Sequence, residues 1–189
     1  MSGRVVVITG PSGVGKDTVL RELFRLDPSL RYVVSCTTRA PREGEVNGVA
    51  YWFIDEATFR AMIERGEFVE WSDVYGQLKG RTWKSLREAI DSGDDVVLKI
   101  DVQGADKIRE HLGDGALYIF LLPPDDSELE RRLVDRATDD PADLELRLQT
   151  AKEEMARGET YDHQVVNDDV TRAAREVLDI IRAAGGGRG

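Results

Sequence analysis

The chain has 189 residues, 41% of them hydrophobic and 33% charged, which suits one soluble α/β domain with a sizeable core. Its 26 basic and 36 acidic residues leave a formal net charge of −10, which argues against a general nucleic-acid or anionic-membrane surface. A single cysteine, Cys36, excludes an internal disulfide framework and a multi-cysteine metal site. The apolar runs are too short for a membrane span, and the first strand begins almost at once, with no signal-peptide pattern. A cytoplasmic enzyme is the default expectation.

The first apolar run, residues 5–8, leads straight into Gly10-Pro11-Ser12-Gly13-Val14-Gly15-Lys16-Asp17-Thr18. Three glycines let the backbone curl so that successive N–H groups face a polyphosphate. Lys16 adds a mobile positive charge, and the helix predicted over 17–25 presents its positive end to the same anion. The strand, loop, lysine, helix order marks a nucleoside triphosphate site. The motif usually continues with Ser or Thr, whose hydroxyl binds Mg²⁺; here the position is Asp17, a tentative Mg²⁺ ligand, followed by Thr18.

From about 31 to about 84 the chain holds most of its aromatics, several turn signals and a short helix at 56–65, which reads as an inserted lobe. Ser35-Cys36-Thr37-Thr38-Arg39-Ala40-Pro41-Arg42-Glu43-Gly44-Glu45 makes a positive island in an acidic chain, and Arg forks suit a phosphate. Further apolar runs at 96–100, 117–122 and 164–166 predict strands. Helical patterns at 103–111, 127–136, 144–157 and 171–184 alternate with them. Near-continuous apolar strands alternating with helices predict a parallel sheet covered by helices. Asp101 ends the strand at 96–100, the edge at which open α/β sheets bind ligands. Residues 137–143 read as a mobile loop between two Arg-bearing helices, and the Gly-rich tail 185–189 as disordered.

The loop, the Thr-Thr-Arg-x-Pro-Arg-x-Gly-Glu run, Glu67-Phe68-Val69-Glu70-Trp71, Asp101-Val102-Gln103-Gly104 and Val166-Asn167-Asp168-Asp169 together resemble the guanylate kinases over nearly the whole chain. The resemblance implies one domain: a P-loop core (about 1–30 and 85–184), a nucleoside-monophosphate lobe (about 31–84) and an Arg-rich lid (about 127–147). It implies transfer of phosphate from ATP, with Mg²⁺, to GMP or dGMP, by a monomer or homodimer. By position it gives Ser35, Arg39, Arg42 and Tyr51 to the GMP phosphate, Glu70 to guanine N1–H and its 2-amino group, and Asp101 to orienting the acceptor or water around Mg²⁺. Lys16, Arg132, Arg136 and Arg147 would stabilise the transferred phosphoryl, and Asn167 would contact adenine.

Three positions depart from the family pattern. Asp17 replaces the metal hydroxyl. Gly76-Gln77-Leu78-Lys79-Gly80-Arg81 stands where Gly-x-Tyr-Tyr-Gly-(Ser/Thr/Val) is usual, so that Lys79 takes over a phosphate-contacting Tyr, and Arg81, or Thr82 with the loop shifted by one, a donor to guanine O6. Lys99 stands where some relatives carry Asp, as a neutralising partner or a change to the acceptor's charge. Two other readings remain. Ribose bisphosphate phosphokinases are also similar and favour Gly-Lys-Asp, but would not need Glu70. A catalytically silent binding module of the same family would tend to lose phosphate-loop residues, whereas Lys16 is kept.

Overall fold

The computed structural model describes residues 3–74, 76–134 and 141–185, and of Val74, residues 141–144, Leu146 and Arg147 the backbone alone. Five strands form one sheet in the order β2-β7-β1-β8-β9. They are β1 (Val5–Thr9), β2 (Arg31–Tyr32), β7 (Val96–Lys99), β8 (Ala116–Leu122) and β9 (His163–Val166). The pairings β2–β7 and β8–β9 are parallel. Val6, Val7 and Ile8 of β1, Val96, Val97 and Leu98 of β7, and Ile119, Phe120 and Leu121 of β8 are all fully buried. That is why these strands read as unbroken apolar runs rather than alternating ones.

The chain divides into two compact units, one of residues up to Val5, 31–98 and 103–116, the other of 6–30, 99–102 and 117 onward. In the second unit, helix α1 (Lys16–Leu26) packs on α7 (Val170–Ala183). Val19, Leu20 and Leu23 of α1 and Ala173, Ala174, Val177, Leu178 and Ile181 of α7 are buried, at the spacing of a helix with one apolar face. Asp169 caps α7 by accepting from Arg172 N–H. Helix α5 spans Asp126–Val134. Helix α6 spans Pro141–Arg157 and so begins three residues before the expected 144. Proline is favoured at the first helical position, where a missing N–H has no partner to lose. The rest of the expected mobile loop, 137–140, lies outside the described residues, as does the tail from 186.

The first unit holds a second sheet, ordered β4-β3-β6-β5, with β3 (Cys36–Thr37), β4 (Trp52–Phe53), β5 (Phe68–Val74) and β6 (Gln77–Thr82). Helix α2 (Glu56–Glu64) covers one face through Phe59, Met62 and Ile63, which pack on Cys36, Phe68, Trp71 and Leu78. Two further elements of this unit are not among the predicted ones: α3 (Trp83–Asp91), started by the Thr82 hydroxyl accepting from Ser85 N–H, and the two-residue β2. Helix α4 (Val102–Leu112) completes the element list.

Side chains alternate across a strand, so Trp71, Leu78 and Cys36 line the apolar face while Thr37, Glu70, Ser72, Lys79 and Arg81 share the other. Phe68 has the same parity as Glu70 yet packs in the apolar cluster. A register shift between Phe68 and Glu70 turns it over. Phe59 is fully buried and stacks on Phe68, with ring centroids 4.3 Å apart and planes 19° from parallel. Phe59→Ala should lose about 3–5 kcal/mol of stability in urea denaturation, whereas an equivalent change at the exposed Val49 should lose far less.

Candidate active site

The loop between β1 and α1 is shaped for an anion. Gly15, immediately before α1, has φ +97°, and a Cβ there would lie 2.5 Å from the Asn167 amide nitrogen. Gly10 has φ +143°, and a Cβ there would meet the Leu121 carbonyl at 2.4 Å. Both positions require glycine on two counts, conformation and space. No side chain caps the start of α1, which leaves that end open to a ligand.

Lys16 Nζ donates to the carbonyls of Gly10 at 2.6 Å and Pro11 at 3.0 Å. Burial lowers its pKa to about 8, against the nearby carboxylates of Glu154, Asp101 and Asp17, which raise it. Glu154 on α6 was not foreseen in the sequence, because nothing local marks it. Its carboxylate accepts from Ser12 N–H at 3.0 Å, so an anionic oxygen already sits on one of the loop's donors. Burial raises the Glu154 pKa, against the lowering by the Ser12 hydrogen bond and Lys16.

Asp17 forms an ion pair with Lys99, so the two unusual residues of this unit neutralise each other. Asp101 follows two positions on, its charge acting on both Lys16 and Glu154. Arg132 donates to Glu128 at 2.8 Å and to the Val14 carbonyl of the loop at 3.1 Å. Asn167 donates its amide N–H to that same carbonyl at 2.8 Å, while its buried Oδ1 has no hydrogen-bond partner. Arg136 lies outside the described residues, and so does the side chain of Arg147.

The first unit gathers the residues expected to hold an acceptor. Arg39 is clamped by Glu45 through two hydrogen bonds of 2.8 Å and lies 5.4 Å from the Tyr51 ring centre. Glu45 also accepts from the Arg42 N–H at 2.7 Å. These contacts hold the Glu45 carboxyl down at about 2, with the Arg39 hydrogen bond as the main cause. Sequence reasoning saw Glu45 as part of a motif but gave it no job; the structure makes it the support of the arginine island. Ser35 is buried. Glu70 and Arg81 are buried opposite each other, with Nη1 of Arg81 donating to Oε1 of Glu70 at 2.7 Å. Lys79 shares their face as the cross-strand partner of Ser72 and Thr37. Cys36 faces the apolar side, and burial pushes its thiol up to about 11, which makes it a poor nucleophile.

The guanylate kinase family model matches residues 2–184. The chain belongs to the guanylate kinase family. It is 44% identical over 181 residues to the guanylate kinase of Halalkalibacterium halodurans, covering 96% of this chain and 88% of that one. It is 45% identical over 182 residues to the guanylate kinase of Streptococcus agalactiae serotype III, covering 96% and 87%. A crystal structure of guanylate kinase from Anaplasma phagocytophilum superposes with a TM-score of 0.79 at 34% identity, covering 97% of this chain and 86% of that one. Among the described residues no helix is long and apolar enough to cross a membrane.

The Lys16 pKa generates a pH prediction. Because folding lowers it, the unfolded chain binds the proton more tightly between about 8 and 10.5, and this group makes stability rise with pH across that window. A bound polyphosphate restores the charge. ATP binding at pH 8.5 should therefore take up protons, measured by calorimetry in buffers of different ionisation enthalpy, and Lys16→Arg should abolish the uptake.

Proposed function

We propose that this guanylate kinase family member transfers the γ-phosphoryl group of ATP to GMP or dGMP, giving ADP and GDP or dGDP. The observation that carries the reading is the pairing of two kinds of site in one chain. One is a glycine loop with a half-buried lysine. The other is a sheet face with a buried carboxylate beside an arginine island. A phosphate loop alone serves hydrolases as well as kinases; the second site supplies a phosphate-bearing acceptor.

In this reading the backbone from Gly10 to Thr18, including Pro11, Ser12, Gly13 and Val14, cradles the ATP phosphates, and Lys16 neutralises them. The orphaned Oδ1 of Asn167 suits a base amino group, since a buried acceptor gains a partner there. Ser35, Arg39, Arg42, Tyr51 and Lys79 hold the acceptor phosphate, and Glu70 accepts from guanine. Asp101 orients the acceptor. Arg132, Arg136 and Arg147 close over the transferred group. Phosphoryl transfer is mainly positioning and stabilisation of spread negative charge, so this chain needs no covalent intermediate. A lid that excludes water keeps the phosphoryl group from hydrolysis.

A bound Mg²⁺ would supply charge neutralisation at the phosphates, with Asp17 as the residue that would hold it. Among the described residues no group of three or more acidic, His or Cys side chains could hold it alone. Asp17, a hard oxygen donor at the start of α1 with most of its side chain exposed, fits that role. The same reading has one catalytic domain acting in the cytoplasm on small molecules, its net charge of −10 disfavouring polyanionic partners.

A coupled ADP-release assay should show activity with GMP and dGMP and little with AMP, UMP or ribose 1,5-bisphosphate. Glu70→Gln and Arg39→Ala should each lower kcat/KM for GMP roughly 10- to 100-fold, the worth of a charge-assisted hydrogen bond. Equal turnover of AMP would overturn the base assignment. Asp17→Ala should raise the Mg²⁺ concentration needed for half-maximal rate by roughly tenfold or more; an unchanged requirement would remove Asp17 from the metal.

A further inference from the structure

Glu154, half-buried on α6, accepts from the Ser12 N–H at 3.0 Å across 142 residues of chain. A fixed negative charge beside a loop shaped for phosphates opposes the binding of an anion. Burial works against the charge as well, by holding the carboxylate partly out of water. Ser12 is exposed, so water would satisfy its N–H without help. The carboxylate is therefore not the rescue of a buried donor. It is a tie between a distant helix and the loop, and a charged acceptor makes such a tie about twice as strong as a neutral one.

The loop's other backbone groups show what the tie does. The carbonyls of Gly10 and Pro11 accept from Lys16 Nζ, and the carbonyl of Val14 accepts from Arg132 and Asn167. Carbonyls held on cations and amides leave successive N–H groups to face an anion. Two of these holds come from one helix pair. Leu129 and Leu133 of α5 pack with Ala151 of α6, and Leu148 and Met155 of α6 close on the same cluster. From this pair Arg132 grips the Val14 carbonyl and Glu154 grips the Ser12 N–H, two residues earlier. A single contact would let the loop pivot about it. Two contacts of opposite polarity fix its twist as well as its place.

We propose that Glu154 is a positioning residue for the donor nucleotide: by holding Ser12 from α6, as Arg132 holds Val14 from α5, it keeps the loop in the curl that receives the ATP phosphates. This rests on the reading of the loop as the ATP site given above. Glu154 touches no reacting atom and acts only through the loop backbone. Its loss therefore weakens ATP binding even though it removes a negative charge from the neighbourhood of the phosphates. A contact of pure charge has the opposite sign, because deleting the acid would then tighten the binding of ATP.

The test joins amide hydrogen exchange by NMR to steady-state kinetics near neutral pH, with ATP and GMP varied in turn, for wild type, Glu154→Gln and Glu154→Ala. Melting temperature and circular dichroism report the folding of each. In wild type the Ser12 amide should exchange roughly tenfold or more slowly than an unstructured serine, although the residue is exposed. Exchange at the unstructured rate overturns the tie with no variant needed. Glu154→Ala should release that amide and raise the KM for ATP roughly tenfold, the worth of a hydrogen bond to a charged group. The KM for GMP should stay within about twofold, and kcat should change less than the KM for ATP. Glu154→Gln keeps an acceptor of the same reach and should recover most of the loss. A folded Glu154→Ala with an unchanged KM for ATP makes the contact incidental, tighter ATP binding makes the carboxylate a rival of the phosphates, and an equal rise in both KM values reports a general loosening; each overturns the proposal. If wild type does not turn over ATP with GMP, the functional reading fails instead, and Ser12 exchange still decides whether the tie exists.

Discussion

The constraint on which this molecule depends is the burial of positive charge. Arg81 lies out of water and Lys16 is half-buried, one in each compact unit. An isolated buried cation is costly enough that the protein must either surround it with carboxylates or let it lose its proton. Lys16 does some of both. Burial pulls its pKa to about 8, and Glu154, Asp101 and Asp17 act against that pull. Arg81 cannot give up its proton, so it sits directly on Glu70. Here burial lowers the pKa, but Glu70 and Tyr32 more than offset it and the guanidinium stays above its ordinary value. In each unit the buried charges are satisfied by partners of the opposite sign.

The same principle orders the residues around the phosphate loop. The Glu154 carboxylate on the Ser12 N–H is an internal anion at a donor shaped for phosphate oxygen. Arg132 and Asn167 both donate to the Val14 carbonyl and so hold the loop from outside. Asp17 and Lys99 neutralise each other, so two substitutions that each look disruptive in the sequence make one compensated change. In the first unit, Glu45 does for Arg39 what Glu70 does for Arg81. These carboxylates explain how a chain with net charge −10 presents cationic sites: the acidic residues supply the partners that hold its arginines and lysines in position.

Much of this was legible in the sequence. The loop, its lysine and the following helix lie within ten residues, and their chemistry is local: φ > 0 glycines, backbone N–H groups and a helix start. The apolar strands and amphipathic helices followed from period alone, since burial on both faces leaves an unbroken apolar run. The arginine island was visible as Arg39 and Arg42 three residues apart. The strands β2, β3 and β4 were not, because two-residue strands have no period to read; α3 was not predicted either, although Trp83, Leu86 and Ile90 recur at helical spacing. The start of α6 was missed because residues 137–143 were read as a mobile loop, although Pro141 suits a first helical residue.

Sequence by itself therefore determined the family, the fold class and the residue types available for phosphate and base, because each rests on contacts between near neighbours or on a repeating pattern. Only the tertiary structure decided which charges meet. Glu154 is 142 residues from Ser12, Lys99 is 82 from Asp17, and Asn167 is 153 from Val14. Strand register decided that Glu70 faces Arg81, and a single bulge decided that Phe68 and Glu70 lie on opposite sides of the same strand. Pairing of this kind depends on how strands align in space, and a one-residue slip would exchange the two faces, which no local reading of the chain can detect.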